Sequence, residues 1–129
     1  MANQFVVELK NEPGGLATLA EALAERGIDL RAIGGGGIGD TGHIIMTTAD
    51  DDAARAVLET GGYTFIEGES ILTEVDDRPG GMARLSRALA DAGVNIYGHL
   101  FLGRWGDRAM FAFVVDDPDK ARPILERKA

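Results

Sequence analysis

The chain contains no cysteine, which excludes disulfides, thiolate nucleophiles and cysteine-based metal sites. Histidine is almost as scarce: His43 and His99 are the only two, and no local spacing of His, Asp or Glu around them suggests converging metal ligands. Serine occurs only at Ser70 and Ser86, and neither sits in a nucleophile-elbow setting. Long apolar runs are also missing. The longest, Ala109 to Val115, falls far short of the roughly 20 residues needed to span a bilayer. The opening MANQFVVELK lacks the charged-then-apolar pattern of a secretory signal, so a cytoplasmic location is expected. Positive charge is in deficit, with 13 Lys and Arg against 21 Asp and Glu and a net charge of -8. Such a field repels phosphate backbones and anionic lipid surfaces, and no run of Lys and Arg offsets it. Neither nucleic acid nor membrane is an expected partner.

What is present is the balance of a soluble globular protein, 45% hydrophobic and 26% charged. The 129 residues could form one ordinary domain or two very small ones. A repeat favours the second choice. The segment PGGLATLAEALAERGIDLRAI from Pro13 and the segment PGGMARLSRALADAGVNIYGH from Pro79 agree at nine of 21 positions. Further on, Ala54-Arg55 and Leu58-Glu59 return as Ala121-Arg122 and Leu125-Glu126, displaced by one more residue. The chain reads as a duplication, with one module over 1–68 and a second over 69–129.

Each copy presents its elements in the same order. Gln4 to Lys10 alternates Phe5, Val7 and Leu9 with Glu8 and Lys10, the period of a half-buried strand. After Pro-Gly-Gly, Leu16, Leu19 and Leu23 share a helical face, and Gly27 is placed to cap the helix. Ile28 to Ile33 resumes a strand, GGGGIGDTG is expected as a flexible hairpin turn, and His43 to Thr48 returns. Asp50 to Asp52 supplies an N-cap and favourable charge for a helix through Glu59, followed by a strand over Tyr63 to Glu67. The second copy gives strand Ser70 to Asp76, helix Gly81 to Ala92, strand Val94 to Leu102, strand Arg108 to Val115 and helix Pro118 to Arg127. Its sixth element is missing, because the position matching Gly62 is Ala129. The fold class is α+β: two βαββαβ ferredoxin-like modules with antiparallel sheets and helices on one face, the last strand of the second module absent.

The Gly34, Gly36 and Gly39 spacing has the form of a dinucleotide fingerprint, but a strand follows it where a helix is required. Asp50-Asp51-Asp52 lacks the staggered ligands of a calcium loop. Acylphosphatase-like chemistry needs an arginine-bearing anion cradle after the first strand. Arg78 is near such a turn, but Glu12 stands at the matching place in the first copy.

The two strand-to-helix turns, Asn11-Glu12-Pro13-Gly14-Gly15-Leu16 and Asp77-Arg78-Pro79-Gly80-Gly81-Met82, resemble those of the ACT family of amino-acid-sensing modules. The physical case for such a turn is independent of that resemblance. Pro fixes φ, Gly-Gly permits backbone angles closed to other residues, and the uncovered helix N-terminus attracts a carboxylate. Asn11 or Asp77 could hold the turn or accept from an ammonium group.

The resemblance implies a non-catalytic regulatory protein with no cofactor, binding an amino acid between this turn and the second strand of a neighbouring module. On that pattern Asn11, Glu12, Gly14, Gly15 and Leu16 face Gly98, His99 and Leu100. Reciprocally, Asp77, Gly80, Gly81 and Met82 face Ala32, Ile33 and Gly34. The alternative is an adaptor that has lost its ligand and acts by protein–protein contact or dimerisation, resembling the glycine-cleavage-system repressor. A homodimer is expected in either case, with a regulated protein partner receiving the signal.

Overall fold

A computed structural model describes residues 2–126 of the protein. Its elements run β1 (Asn3–Lys10), α1 (Gly15–Glu25), β2 (Leu30–Ile38), β3 (Thr41–Thr48), α2 (Asp51–Thr60), β4 (Phe65–Glu69), β5 (Ile71–Asp76), α3 (Gly81–Asp91), β6 (Ile96–Trp105), β7 (Arg108–Val115) and α4 (Pro118–Leu125). Arg127, the expected end of the last helix, and Ala129 lie outside the described residues. The chain divides into two compact units between Gly68 and Glu69.

In the first unit the strand order is β2-β3-β1-β4, and β3 runs antiparallel to both β1 and β2. Alternation fixes the faces. Phe5, Val7, Ile44 and Met46 point one way and form one core with Leu19 and Leu23 of α1 and Ala54, Val57 and Leu58 of α2. Both helices therefore cover the same face. Asp50 caps α2, its carboxylate accepting from the Ala53 N–H at 3.0 Å, as its position before Asp51 and Asp52 implied. Gly27 takes the left-handed conformation at φ 68° that ends α1.

The second unit has the order β5-β7-β6, antiparallel throughout. Ile71, Phe113 and Val115 meet Leu89 of α3 and Ala121 and Leu125 of α4. Among the described residues β5 has no strand on its second side, where the first unit places β4 beside β1. Thr73 Oγ1 donates to the Leu125 carbonyl and ties β5 to the end of α4.

One local expectation is corrected. Gly34 to Gly37 is strand, paired residue for residue with Ile45, Ile44, His43 and Gly42, and the turn is confined to Gly39 and Asp40. Two of these glycines, Gly35 and Gly37, answer to crowding. A Cβ on Gly35 would fall 2.2 Å from the His43 carbonyl oxygen, and one on Gly37 would fall 2.5 Å from Asn11 Oδ1. Smaller shifts from expectation are that β4 runs from Phe65 to Glu69, and that β6 starts at Ile96 and reaches Trp105 with two register shifts.

Candidate functional site

The two Pro-Gly-Gly turns fold alike. Gly14 and Gly80 both stand at φ 90°, closed to side chains with a Cβ at low cost. Glu12 N donates to Lys10 O, and Gly15 N to Glu12 O. Arg78 N donates to Asp76 O, and Gly81 N to Arg78 O. Gly15 and Gly81 are needed for close approach: a Cβ there would stand 3.0 Å from Lys10 O and 2.2 Å from Asp76 O. Neither helix has a side-chain cap. Thr18 N and Arg84 N reach back to Gly14 O and Gly80 O. Among the described residues, no acceptor serves the N–H groups of Leu16 and Ala17 or of Met82 and Ala83. Two unpaired donors at the positive end of a helix form an anion-attracting point at each turn.

In the first unit this point borders a hollow of about 450 Å³ lined by Leu9, Asn11, Glu12, Leu16, Ile33 and Gly34, with Gly35 to Gly37 and Ile44. The glycine strand creates it. Gly35 and Gly37 lie in register with Ile44 and Gly42 on the helix-facing side of the sheet and carry nothing that would fill the space. Leu16 remains half exposed at its mouth. Asn11 Nδ2 donates to the Gly39 carbonyl at 2.9 Å, so the side chain holds the β2–β3 hairpin, while no donor reaches its Oδ1 among the described residues. A second hollow of about 530 Å³ adjoins the same turn, lined by Glu12, Gly14 and Gly15 with Lys10, Asp40 and Tyr63.

The corresponding hollow of the second unit, about 350 Å³, is lined by Val75, Asp76, Asp77, Arg78, Pro79, Met82, Arg104, Ala109 and Phe111. Asp77 Oδ2 accepts from Arg104 Nε at 2.7 Å, the counterpart of the Asn11 clamp on the hairpin. Arg84, Arg104 and Arg108 were not legible as site residues, because their sequence separations become neighbours only through the strand register.

The residues expected on the second strands divide between faces. Ile33 is on the helix side in register with Met46, whereas Ala32 and Gly34 point away from the helices. His99 is on the helix side against Phe113, with ring centroids 6.1 Å apart, and Gly98 and Leu100 point the other way. A ligand beside either strand can touch side chains from one of these sets, or the backbone of the edge strand itself. Both β2 and β6 are edge strands of their sheets. Within its own unit the first turn is joined in one hollow by Ile33 and Gly34. Among the described residues no three His, Asp or Glu side chains converge to hold a metal ion, and no helix is long and apolar enough to cross a membrane.

A tandem α+β protein with a glycine-opened strand-to-helix turn in each unit is the class this geometry defines. Residues 4–60, most of the first unit, match the family model of the ACT domain. Among solved structures it is similar to protein BT0572 from Bacteroides thetaiotaomicron, at 23% identity over 97% of this chain and 86% of that one, with a TM-score of 0.71. It is also similar to the ligand-free regulatory subunit of aspartate kinase from Thermus thermophilus, at 22% identity over 97% and 87% of the two chains and a TM-score of 0.61. The regulatory subunit of aspartate kinase from Thermus flavus stands at 20% identity, 98% and 92% coverage and a TM-score of 0.66. At these identities the likeness is one of fold. A search of curated protein sequences gives no match.

Proposed function

We propose that this protein is a non-catalytic, cytoplasmic regulator that binds an amino acid at the Asn11–Leu16 turn and passes the signal on through its assembly or a docked protein partner. The observation that carries this reading is the pairing of opposite needs at one turn. Unpaired N–H groups of Leu16 and Ala17 suit a carboxylate, the open Oδ1 of Asn11 suits an ammonium, and Leu9, Ile33 and Ile44 border an apolar recess. An α-amino acid carries all three features. On the family pattern the far wall of the site is the second strand of another module. The match of residues 4–60 to the ACT domain supports the regulatory half of the reading, and regulation requires that the ligand prefer one of two states of the protein.

We propose further that the protein is a homodimer, joined in part along the β5 edge. That edge carries neither lysine nor proline and pairs with β7 without a register shift.

Screening the twenty amino acids by thermal shift tests the first proposal. A ligand at 100 times its Kd should stabilise by about 2.7 kcal/mol. Flat midpoints for all twenty, confirmed by calorimetry at millimolar concentration, would leave the ligand-free adaptor as the standing reading.

A further inference from the structure

The two turns share a backbone and differ in charge. Where the first unit carries Lys10, Glu12 and Thr18, the second carries Asp76, Arg78 and Arg84. The β6–β7 hairpin adds Arg104 and Arg108. Asp76 faces three guanidinium groups: Arg78 Nη2 at 3.2 Å, Arg84 Nη2 at 3.7 Å and Arg108 in close contact. Arg108 Nε also stands 3.8 Å from Glu74, and Arg104 is held by Asp77. Four arginines thus meet three carboxylates, an excess of one positive charge inside a chain whose net charge is -8.

Arg108 is largely covered and fixed across the strand pair. Arg78, Arg84 and Arg104 are more than half exposed, and each holds its carboxylate through a single contact. Exposed pairs of that kind contribute little to stability, so a ligand's anionic group can take a share of them at small cost. Arg84 lies against Gly80, where a Cβ would fall 2.8 Å from its guanidinium; the matching space beside Gly14 is empty. Beneath this charged rim, Val75, Met82, Ala109 and Phe111 supply an apolar floor. Asp76 and Asp77 are already neutralised by arginine within a cluster of net positive charge, a setting that disfavours an ammonium group.

We propose that the second-unit hollow binds a small organic acid without an ammonium group, such as a 2-oxo or other short-chain carboxylate. Its carboxylate rests on Arg78 and Arg104, where planar guanidinium groups match it geometrically. The N–H groups of Met82 and Ala83 add to the same field. Its carbon skeleton lies on Met82, Ala109 and Phe111. For this turn the inference replaces the amino-acid expectation, and it does not depend on the reading of the first unit.

The test is an NMR titration of the ¹⁵N-labelled full chain with 4-methyl-2-oxopentanoate and, separately, L-leucine, at pH 7 and constant ionic strength. The two probes share a skeleton and differ in the ammonium group. The oxo acid is expected to shift the amides of Met82 and Ala83 and the Nε signals of Arg78 and Arg104, while L-leucine leaves them in place. Arg78→Glu, which installs the first unit's residue, should weaken the oxo acid at least tenfold with the remaining spectrum unchanged. Arg104→Gln provides a second variant with the same expectation. The proposal is overturned if the oxo acid leaves Met82 and Ala83 unmoved, if L-leucine binds there as well as the oxo acid does, or if both variants bind like wild type. Shifts caused by L-leucine at Asn11 to Leu16 bear on the first unit alone, so the two readings fail separately.

Discussion

The side chain of Asn11 lies directly over Gly37: a Cβ on that glycine would fall 2.5 Å from Asn11 Oδ1, while Asn11 Nδ2 donates to the Gly39 carbonyl at 2.9 Å. The bare strand and the clamped side chain are one device. Gly37→Ala should push Asn11 off the hairpin and destabilise the first unit by about 1 kcal/mol, the usual net worth of one hydrogen bond. Gly36→Ala, with nothing within 4 Å of its added carbon, is the control. The decisive measurement is a double-mutant cycle in urea. In an Asn11→Ala background, Gly37→Ala should cost little more; full additivity would separate the two residues.

Gly81 and Gly15 occupy matching places with unequal room. Gly81→Ala puts a carbon 2.2 Å from Asp76 O, whereas Gly15→Ala meets Lys10 O at 3.0 Å. Overpacking of the first kind costs about 1–3 kcal/mol, and the second should cost clearly less. Equal shifts of the unfolding midpoint would mean that the second turn relaxes freely. Gly14→Val and Gly80→Val are poor probes of binding, since φ 90° strains any L side chain by about 1–2 kcal/mol.

Leu16 is the better probe of the amino-acid site. It is half exposed at the mouth of the first-unit hollow and lies outside the buried core. Leu16→Glu places a negative charge in the first helical turn, which the helix tolerates, and directly opposes a ligand carboxylate. Stability should stay within about 0.5 kcal/mol, while calorimetry on the amino acid found by screening shows at least a tenfold loss. Unchanged affinity would move the site elsewhere.

Acid should weaken the first unit through Glu67. Arg55 grips this carboxylate with Nε at 2.6 Å and Nη2 at 2.7 Å, and the Asn3 amide adds a third bond at 2.7 Å. Hydrogen bonding to Arg55 holds the Glu67 carboxyl below its ordinary value, with burial opposing and Asn3 assisting. The folded pKa lies below the unfolded one, so the unfolded chain binds the extra proton. The stabilisation is complete above the unfolded carboxylate value and is lost as pH falls through the folded value. Urea midpoints measured from pH 7 to pH 3 should fall less steeply for Glu67→Gln than for wild type. Parallel curves would assign the acid sensitivity to other groups.

The β5 edge predicts an association. Strand Ile71–Asp76 is hydrogen-bonded to β7 and to no second strand among the described residues. Sedimentation at micromolar concentration should show a dimer, and hydrogen exchange should find the Ile71 to Val75 amides protected on both sides of the strand. A monomer with rapid exchange at alternate residues would leave the edge open.

Sequence alone determined the duplication, the element order and the two turns, because each is written in short-range chemistry. Phe5, Val7 and Leu9 alternate with the period of a strand. Asp50 stands where a helix cap belongs, and Pro-Gly-Gly permits the left-handed step that φ 90° at Gly14 and Gly80 then displays. Tertiary structure decided what pairs across the sheet. Gly34 to Gly37 read locally as a turn because glycine punctuates loops. Pairing with Gly42 to Ile45 makes those residues a strand, and the Asn11 side chain explains why Gly37 must be bare. Arg84, Arg104 and Arg108 likewise read as scattered surface charge until register placed Arg108 opposite Asp76. The reason is physical: period and turn chemistry are properties of neighbouring residues, whereas charge gathered around one carboxylate depends on which strands lie side by side.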